Sequence, residues 1–186
     1  MISFSVDDGC LSDLRLAVLL EKYDYRMTVY LPVEWQRLNY EKGYLPLKYT
    51  DVKNLLARGH ELGSHSISHP LLTRISLDQA ELEIAESKRI LKAVFNAKVT
   101  KFCPPRGYSN SELDQIIDQY YEQSRLTRGQ GLVHIHPDSG ANDNEAWQVV
   151  LKDKLDADID IELWGHSWEL DKYDLWAELE ECLKEL

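Results

Sequence analysis

The sequence predicts a parallel α/β fold closed into a distorted barrel of seven strands, and three observations point to it. Short β-rich segments alternate with amphipathic segments along the whole chain. The 186 residues suit one core, with no repeat, low-complexity tract or linker to divide the span 1–186, so a single catalytic domain is expected. The unusual polar clusters fall just past strand ends, and in a parallel barrel those ends open on one face.

The elements follow in order. "ISFSV" (Ile2 to Val6) places apolar residues at every second position and reads as a strand, and "LSDLRLAVLLEKY" (Leu11 to Tyr23) has helical spacing. "RMTVYL" (Arg26 to Leu31) is a second strand, followed by a looser stretch with Tyr40, Gly43 and Pro46. A helix runs from about Asp51 to its stop at Gly59, and "ELGS" (Glu61 to Ser64) is a short strand. Ser76 with Gln79 forms a capping box for a long amphipathic helix reaching Phe95. "TKFC" (Thr100 to Cys103) is a strand ended by Pro104 and Pro105, and Ser109 with Glu112 opens a helix to Tyr121. "SRLT" (Ser124 to Thr127) and "LVHIH" (Leu132 to His136) are strands. A helix from near Asn144 to Lys154, the strand "IDIELW" (Ile159 to Trp164) and a final helix from about Asp171 complete the chain.

Composition narrows the class of function. A net charge of −11 argues against nucleic acid or an anionic membrane surface as partner, because phosphate binding needs clustered Lys and Arg. Three widely spaced cysteines do not make a disulfide framework and suit a reducing compartment. No apolar run approaches membrane-spanning length and no signal peptide is visible, so a cytoplasmic protein is expected.

Four clusters carry the chemistry: Asp7 and Asp8 after the first strand, "HSISHP" (His65 to Pro70) after the third, "PPRGY" (Pro104 to Tyr108) after the fourth, and "GHSWE" (Gly165 to Glu169) after the last. His65 and His69 are four residues apart, which on a helical turn sets both imidazoles on one face, and Pro70 stops that turn. Two histidines and one carboxylate with an open position make a catalytic zinc-type site. The adjacent aspartates then have a reason: one ligates the cation, the other stays free as a base, and the metal charge relieves their repulsion. Asp-Asp-Gly alone is an ordinary turn, so the argument rests on the histidines being present too.

In that order, "SVDDG", "GHELGSHSISHP", "FCPPRG" and "LWGH" resemble the polysaccharide deacetylases of the NodB-homology type, carbohydrate esterase family 4, from Ser5 to about His166. The resemblance implies a NodB-type distorted seven-stranded (β/α) barrel. It implies Asp8, His65 and His69 as ligands of a divalent cation, Zn²⁺ first, with Co²⁺ or Ni²⁺ as substitutes. Asp7 becomes the general base, His166 the general acid, and Arg106 the donor of a backbone N–H to the oxyanion. The implied reaction removes N-acetyl, or O-acetyl, groups from a carbohydrate.

The chain departs from the family in two places. Cys103 stands where the family's R-P-P-Y-G motif has the arginine that orients the base, and Arg106 holds the aromatic position, from which it could supply that charge instead. The tryptophan-containing fourth motif, whose aspartates tune the acid histidine, has no counterpart between Tyr121 and Ile159, with Asp138 and Asp143 as candidate stand-ins. Two other readings stay open: a metal-dependent hydrolase of small N-acyl or cyclic C–N compounds, and a non-catalytic sugar-binding homologue. His60, His134 and His136 read as structural or exposed, although His134 and His136 share a strand face. Trp164, Trp168 and Trp176 read chiefly as core.

Overall fold

Seven strands in the order β5-β4-β3-β2-β1-β7-β6, every pairing parallel, form one sheet. The computed structural model describes residues 1–126, 129–137, 146–157 and 159–186. The strands are β1 (Ile2–Asp7), β2 (Met27–Leu31), β3 (Glu61–Ser64), β4 (Lys101–Phe102), β5 (Gln123–Ser124), β6 (Leu132–His134) and β7 (Ile161–Gly165). The helices are α1 (Asp13–Lys22), α2 (Trp35–Lys42), α3 (Tyr49–Ala57), α4 (Leu77–Phe95), α5 (Ser111–Tyr120), α6 (Trp147–Asp156), α7 (Ser167–Lys172) and α8 (Trp176–Glu185).

β1 lies at the centre because it is apolar enough to be covered on both faces: Phe4 through Asp7 are all buried, with Phe4 registered against Met27 on one side and Leu163 on the other. The core collects Leu20, Leu31, Leu55, Ile84, Phe102, Ile117, Trp147 and Leu163, all essentially inaccessible. Burying each such side chain contributes about 1.5–3 kcal/mol before entropy is counted. Among the described residues no helix is long and apolar enough to cross a membrane.

The sheet curls into a half-barrel. Arg125, directly after β5, reaches Asp7 at the end of β1 and lies 3.6 Å (Nε to Oε1) from Glu162 of β7, although β4, β3 and β2 separate β5 from β1 in the sheet. Only a curled sheet brings those strands face to face across an interior.

Several elements differ from the sequence expectation for local reasons. The looser stretch contains α2, which ends where Gly43 turns left-handed at φ 81°. α5 is capped by Asn110, whose side chain accepts from Leu113 N–H, while the Ser109 hydroxyl bonds Asp114 instead. The final helix is two: Asp174 at φ 54° breaks the chain between α7 and α8. β5 stops at Ser124, so the expected strand Ser124 to Thr127 is displaced, and Thr127 lies outside the described residues, as do Asn144, Asp138 and Asp143.

Candidate active site

Successive residues of a strand point to opposite faces, so two adjacent carboxylates at a strand end should diverge. They do not here, because Asp8 leaves the strand at φ 75° and Gly9 follows at φ 69°. Gly9 is required: a Cβ there would sit 2.2 Å from Leu31 Cδ1. Asp8 is pinned by its backbone, its N–H donating to Tyr30 O at 3.1 Å and its carbonyl accepting from the buried Asn39 side chain of α2 at 2.7 Å. Asp7 and Asp8 therefore face one cavity, 3% and 1% exposed.

The two histidines arrive by a different route from the helical turn the spacing suggested. Residues 65–69 form a loop in which Ser66 (φ 69°) and His69 (φ 61°) are both left-handed. Glu83 of α4 holds the loop, accepting from Ile67 N–H at 2.7 Å, Ser68 N–H at 2.9 Å and the Ser68 hydroxyl at 2.7 Å. Val33 N–H donates to Ser66 O at 3.0 Å from the other side. Four of the non-glycine left-handed residues, Asp8, Ser66, His69 and Arg106, lie in the strand-end loops of this face, a concentration of backbone strain found at functional sites.

Asp8, His65 and His69 come together, their ligand atoms within 4.8 Å of one another. His65 Nδ1–H donates to Cys103 O at 2.6 Å, which leaves the Nε2 lone pair turned inward, 3.8 Å from Asp8 Oδ1. His69 Nε2 lies 3.4 Å from the same oxygen. Burial pushes both imidazoles toward the neutral, ligating form, His69 to about 4 with the neighbouring His65 adding to the effect. Asp8 Oδ1 is buried with no hydrogen-bond partner, while Oδ2 takes the Lys42 ammonium at 2.6 Å. Burial alone would raise the Asp8 pKa, but His166, His65, His69 and Lys42 hold it well below the usual carboxylate range. A partnerless buried oxygen facing two neutral imidazoles, with an ammonium standing in on the other oxygen, fits a divalent cation.

Asp7 stays outside that trio. Its Oδ1 accepts from Arg125 Nη2, and its Oδ2 lies 3.9 Å from the Cys103 thiol. Arg125 is 3% exposed, its guanidinium 4.9 Å from the Tyr30 ring and 4.7 Å from that of Trp164. Burial opposes ionisation of Asp7, but Arg125 overcomes it and keeps the carboxylate charged. Arg125 therefore fills the place that the sequence offered to Arg106. The Arg106 side chain is exposed, in a left-handed residue (φ 61°) at the rim, and carries no charge to Asp7.

His166 caps α7 at the end of β7. Glu169 accepts from His166 N–H at 2.9 Å and contacts Nδ1 at 3.2 Å, while Nε2 faces Asp8 Oδ2 at 3.7 Å. Burial works against an imidazolium there, but the Glu169 hydrogen bond and the carboxylates of Asp8 and Asp7 outweigh it and raise the pKa to about 9. Glu169 is itself held ionised, because hydrogen bonds from His134 and His166 exceed its burial cost. Among the described residues it is the carboxylate that meets His166 Nδ1, while Asp138 and Asp143 lie outside them. The signal was in "HSWE": a histidine at the N-cap and an acid three residues later is capping-box spacing. Arg125 gave a weaker signal, a lone arginine in the short strand-like stretch "SRLT".

A further buried acid lies below. Asp13 accepts from the Ser167 hydroxyl at 2.5 Å, and its Oδ2 has no partner. Burial raises its pKa to about 8 against the pull of that hydroxyl, so it is mostly a neutral acid at pH 7.

The fold and this constellation define a class, the (β/α) half-barrels with a strand-end aspartate pair and two histidines beside it. The family model described as polysaccharide deacetylase matches residues 1–122, and the chain belongs to that family. Among solved structures it resembles a CE4 family pseudoenzyme from Bacillus anthracis, with TM-score 0.69 and 21% identity over 100% of this chain and 60% of that one. It also resembles a family 4 carbohydrate esterase from Streptomyces lividans, with TM-score 0.68 and 16% identity over 99% and 88% of the two chains. The peptidoglycan-N-acetylmuramic acid deacetylase PdaC of Bacillus subtilis is 41% identical over 59 residues, which are 32% of this chain and 13% of that protein. These likenesses show the fold, which is the NodB-type barrel expected.

Proposed function

We propose that the protein is a metal-dependent deacetylase, a single catalytic domain over residues 1–186, that hydrolyses acetyl groups, N-acetyl foremost, on a carbohydrate. The observation that carries the reading is the division of labour between adjacent carboxylates. Asp8 offers a bare buried oxygen to two neutral imidazoles, while Asp7 is kept charged and separate by Arg125. The name of the B. subtilis relative gives an amino sugar of peptidoglycan as its substrate, and an N-acetylated amino sugar is the substrate class proposed here.

Asp8, His65 and His69 would hold the cation, Zn²⁺ by its preference for imidazole and carboxylate donors. When bound, such a cation supplies Lewis acidity, polarising an acyl oxygen and lowering the pKa of water to about 7. Asp7 takes the proton of the attacking water as its oxygen bonds the acyl carbon. Arg125 holds Asp7 in the orientation for that transfer. The backbone N–H of Arg106 donates to the oxygen that becomes negative. His166 gives its Nε2 proton to the departing nitrogen as the C–N bond breaks, leaving acetate and a free amine. Glu169 keeps the ring doubly protonated beforehand.

The test is acetate release from N-acetylated oligosaccharides, chitin-type and peptidoglycan-type, by metal-stripped protein before and after one equivalent of Zn²⁺. Zn²⁺-dependent release that falls about 10³-fold in Asp7→Asn, with Zn²⁺ binding intact, supports the reading. Zn²⁺ binding without acetate release from any N- or O-acetyl sugar refutes it. A parallel panel of cyclic imides and ureides then tests the small-substrate hydrolase.

A further inference from the structure

Of the three groups of potential ligands among the described residues, His134, His166 and Glu169 make the one that shares nothing with Asp8, His65 and His69, their ligand atoms within 4.8 Å of one another. Glu169 Oε2 is the hub, 3.0 Å from His134 Nε2 and 3.2 Å from His166 Nδ1. Tetrahedral Zn²⁺ with ligands near 2.0–2.1 Å sets its donor atoms about 3.3 Å apart, close to both separations. The His134 ring is held in place, stacked on Trp164 at 4.1 Å and 8° and on His136 at 5.2 Å and 20°. The side chains of His134 and His166 are 24% and 23% exposed, so an ion has access to them, while Glu169 at 8% supplies the buried charge.

We propose that these three residues form an inhibitory cation site, at which a second Zn²⁺ binds His134 Nε2, Glu169 Oε2 and His166 Nδ1 and switches the general acid off. The inhibitory role rests on the reading of His166 as that acid. The chemistry follows from the two ring nitrogens. As an imidazolium, His166 loses its Nε2 proton to the amine and becomes a neutral ring. With a cation on Nδ1, the Nδ1 proton has already gone to solvent and only Nε2–H remains. Releasing that proton would leave an imidazolate, so the ring is then a far weaker acid than the imidazolium. The cation also engages the Glu169 oxygen that supports the imidazolium.

Calorimetric titration of Zn²⁺ into the metal-stripped full chain tests this directly. Wild type should show two sites, with the tighter lost in Asp8→Asn and the weaker lost in His134→Gln. Glu169→Gln serves as the second variant should His134→Gln fail to fold by circular dichroism, and it too should lose the weaker site. Acetate release should fall at least tenfold between one equivalent and excess Zn²⁺ in wild type, and less than twofold over that range in His134→Gln. A single site in wild type, or a weaker site that survives both variants, overturns the proposal, as does a wild-type rate unchanged by excess Zn²⁺. Two-site binding with no acetate release at any loading would instead sink the deacetylase reading and the inhibitory role with it, leaving the second cation site standing.

Discussion

The two walls of the site are built on different terms. The wall formed by the ends of β1 and β3 takes its groups from short contiguous motifs: Asp7 and Asp8 adjoin, and His65 and His69 are four apart. On the opposite wall, Asp7 draws its arginine from beyond β5, 118 residues along the chain, and His166 draws Glu169 from the first turn of α7. The difference teaches what each chemistry requires. Ligand atoms must meet within a few tenths of an ångström, which ties them to particular backbone positions. A compensating charge on a long side chain can enter from any strand whose interior face looks at the same carboxylate.

Aspartates on the first wall give the sharpest contrast and the largest effects. Asp8→Asn should abolish tight Zn²⁺ binding and reduce turnover at least ~10³-fold, whereas Asp7→Asn should lose a similar ~10³ in kcat with Zn²⁺ affinity kept. Calorimetry beside kinetics reads both, and equal loss of binding in the two variants would erase the proposed division between them. On the other wall, Arg125→Met should cost about 3–5 kcal/mol of stability, because it strands a buried carboxylate, together with ~10²-fold in kcat. Chemical denaturation measures the first and steady-state rates the second. If Arg125→Met keeps full activity, the base does not depend on a relocated charge.

Glu169→Gln should act less strongly, about 10–100-fold on kcat, and with a pH signature. His166 is raised to about 9 in the fold, so its proton-donating form is present below that pH and is lost as pH rises through it. Weakening the partner should move the alkaline limb of the rate profile to lower pH by about one unit or more, a shift that a purely structural role would not give. Asp13→Asn should have the smallest effect, seen in stability alone. The folded state holds a proton on Asp13 up to about pH 8 that the unfolded chain releases near 3.8, so wild-type stability falls as pH rises through that window. Asparagine removes that slope and should stabilise the protein by ~1–2 kcal/mol at pH 8.5, measured by urea denaturation.

How much was legible follows the same division. The strand-helix alternation is written in local periodicity, so the parallel half-barrel could be read along with most of its elements. The convergence of Asp8, His65 and His69 was legible because "DDG" and "HSISHP" are local, although its means was not: left-handed turns at Asp8, Ser66 and His69 depend on contacts from Tyr30, Val33 and Glu83. Arg125 was invisible as a partner because nothing in a sequence says which interior an isolated arginine will share, and a two-residue strand gives little period to assign it a face. Arg106 was offered as the substitute charge because it stands three residues after Cys103, and its side chain is exposed at the rim. α2 went unread because its mixed polar surface ends in a glycine and a proline, yet it delivers both Asn39 and Lys42 to Asp8.

The crossing of Arg125 from one edge strand to Asp7 and toward Glu162 has a consequence for how this chain can change. The bond between Arg125 and Asp7 is also a strut across the hollow of the half-barrel. A descendant could change His166, His65 or His69 and keep its shape. It could not drop Arg125 or Asp7 alone without leaving the other's charge stranded in the interior. Inheritance of the strut is therefore a record of architecture, and only the groups around it keep the record of trade.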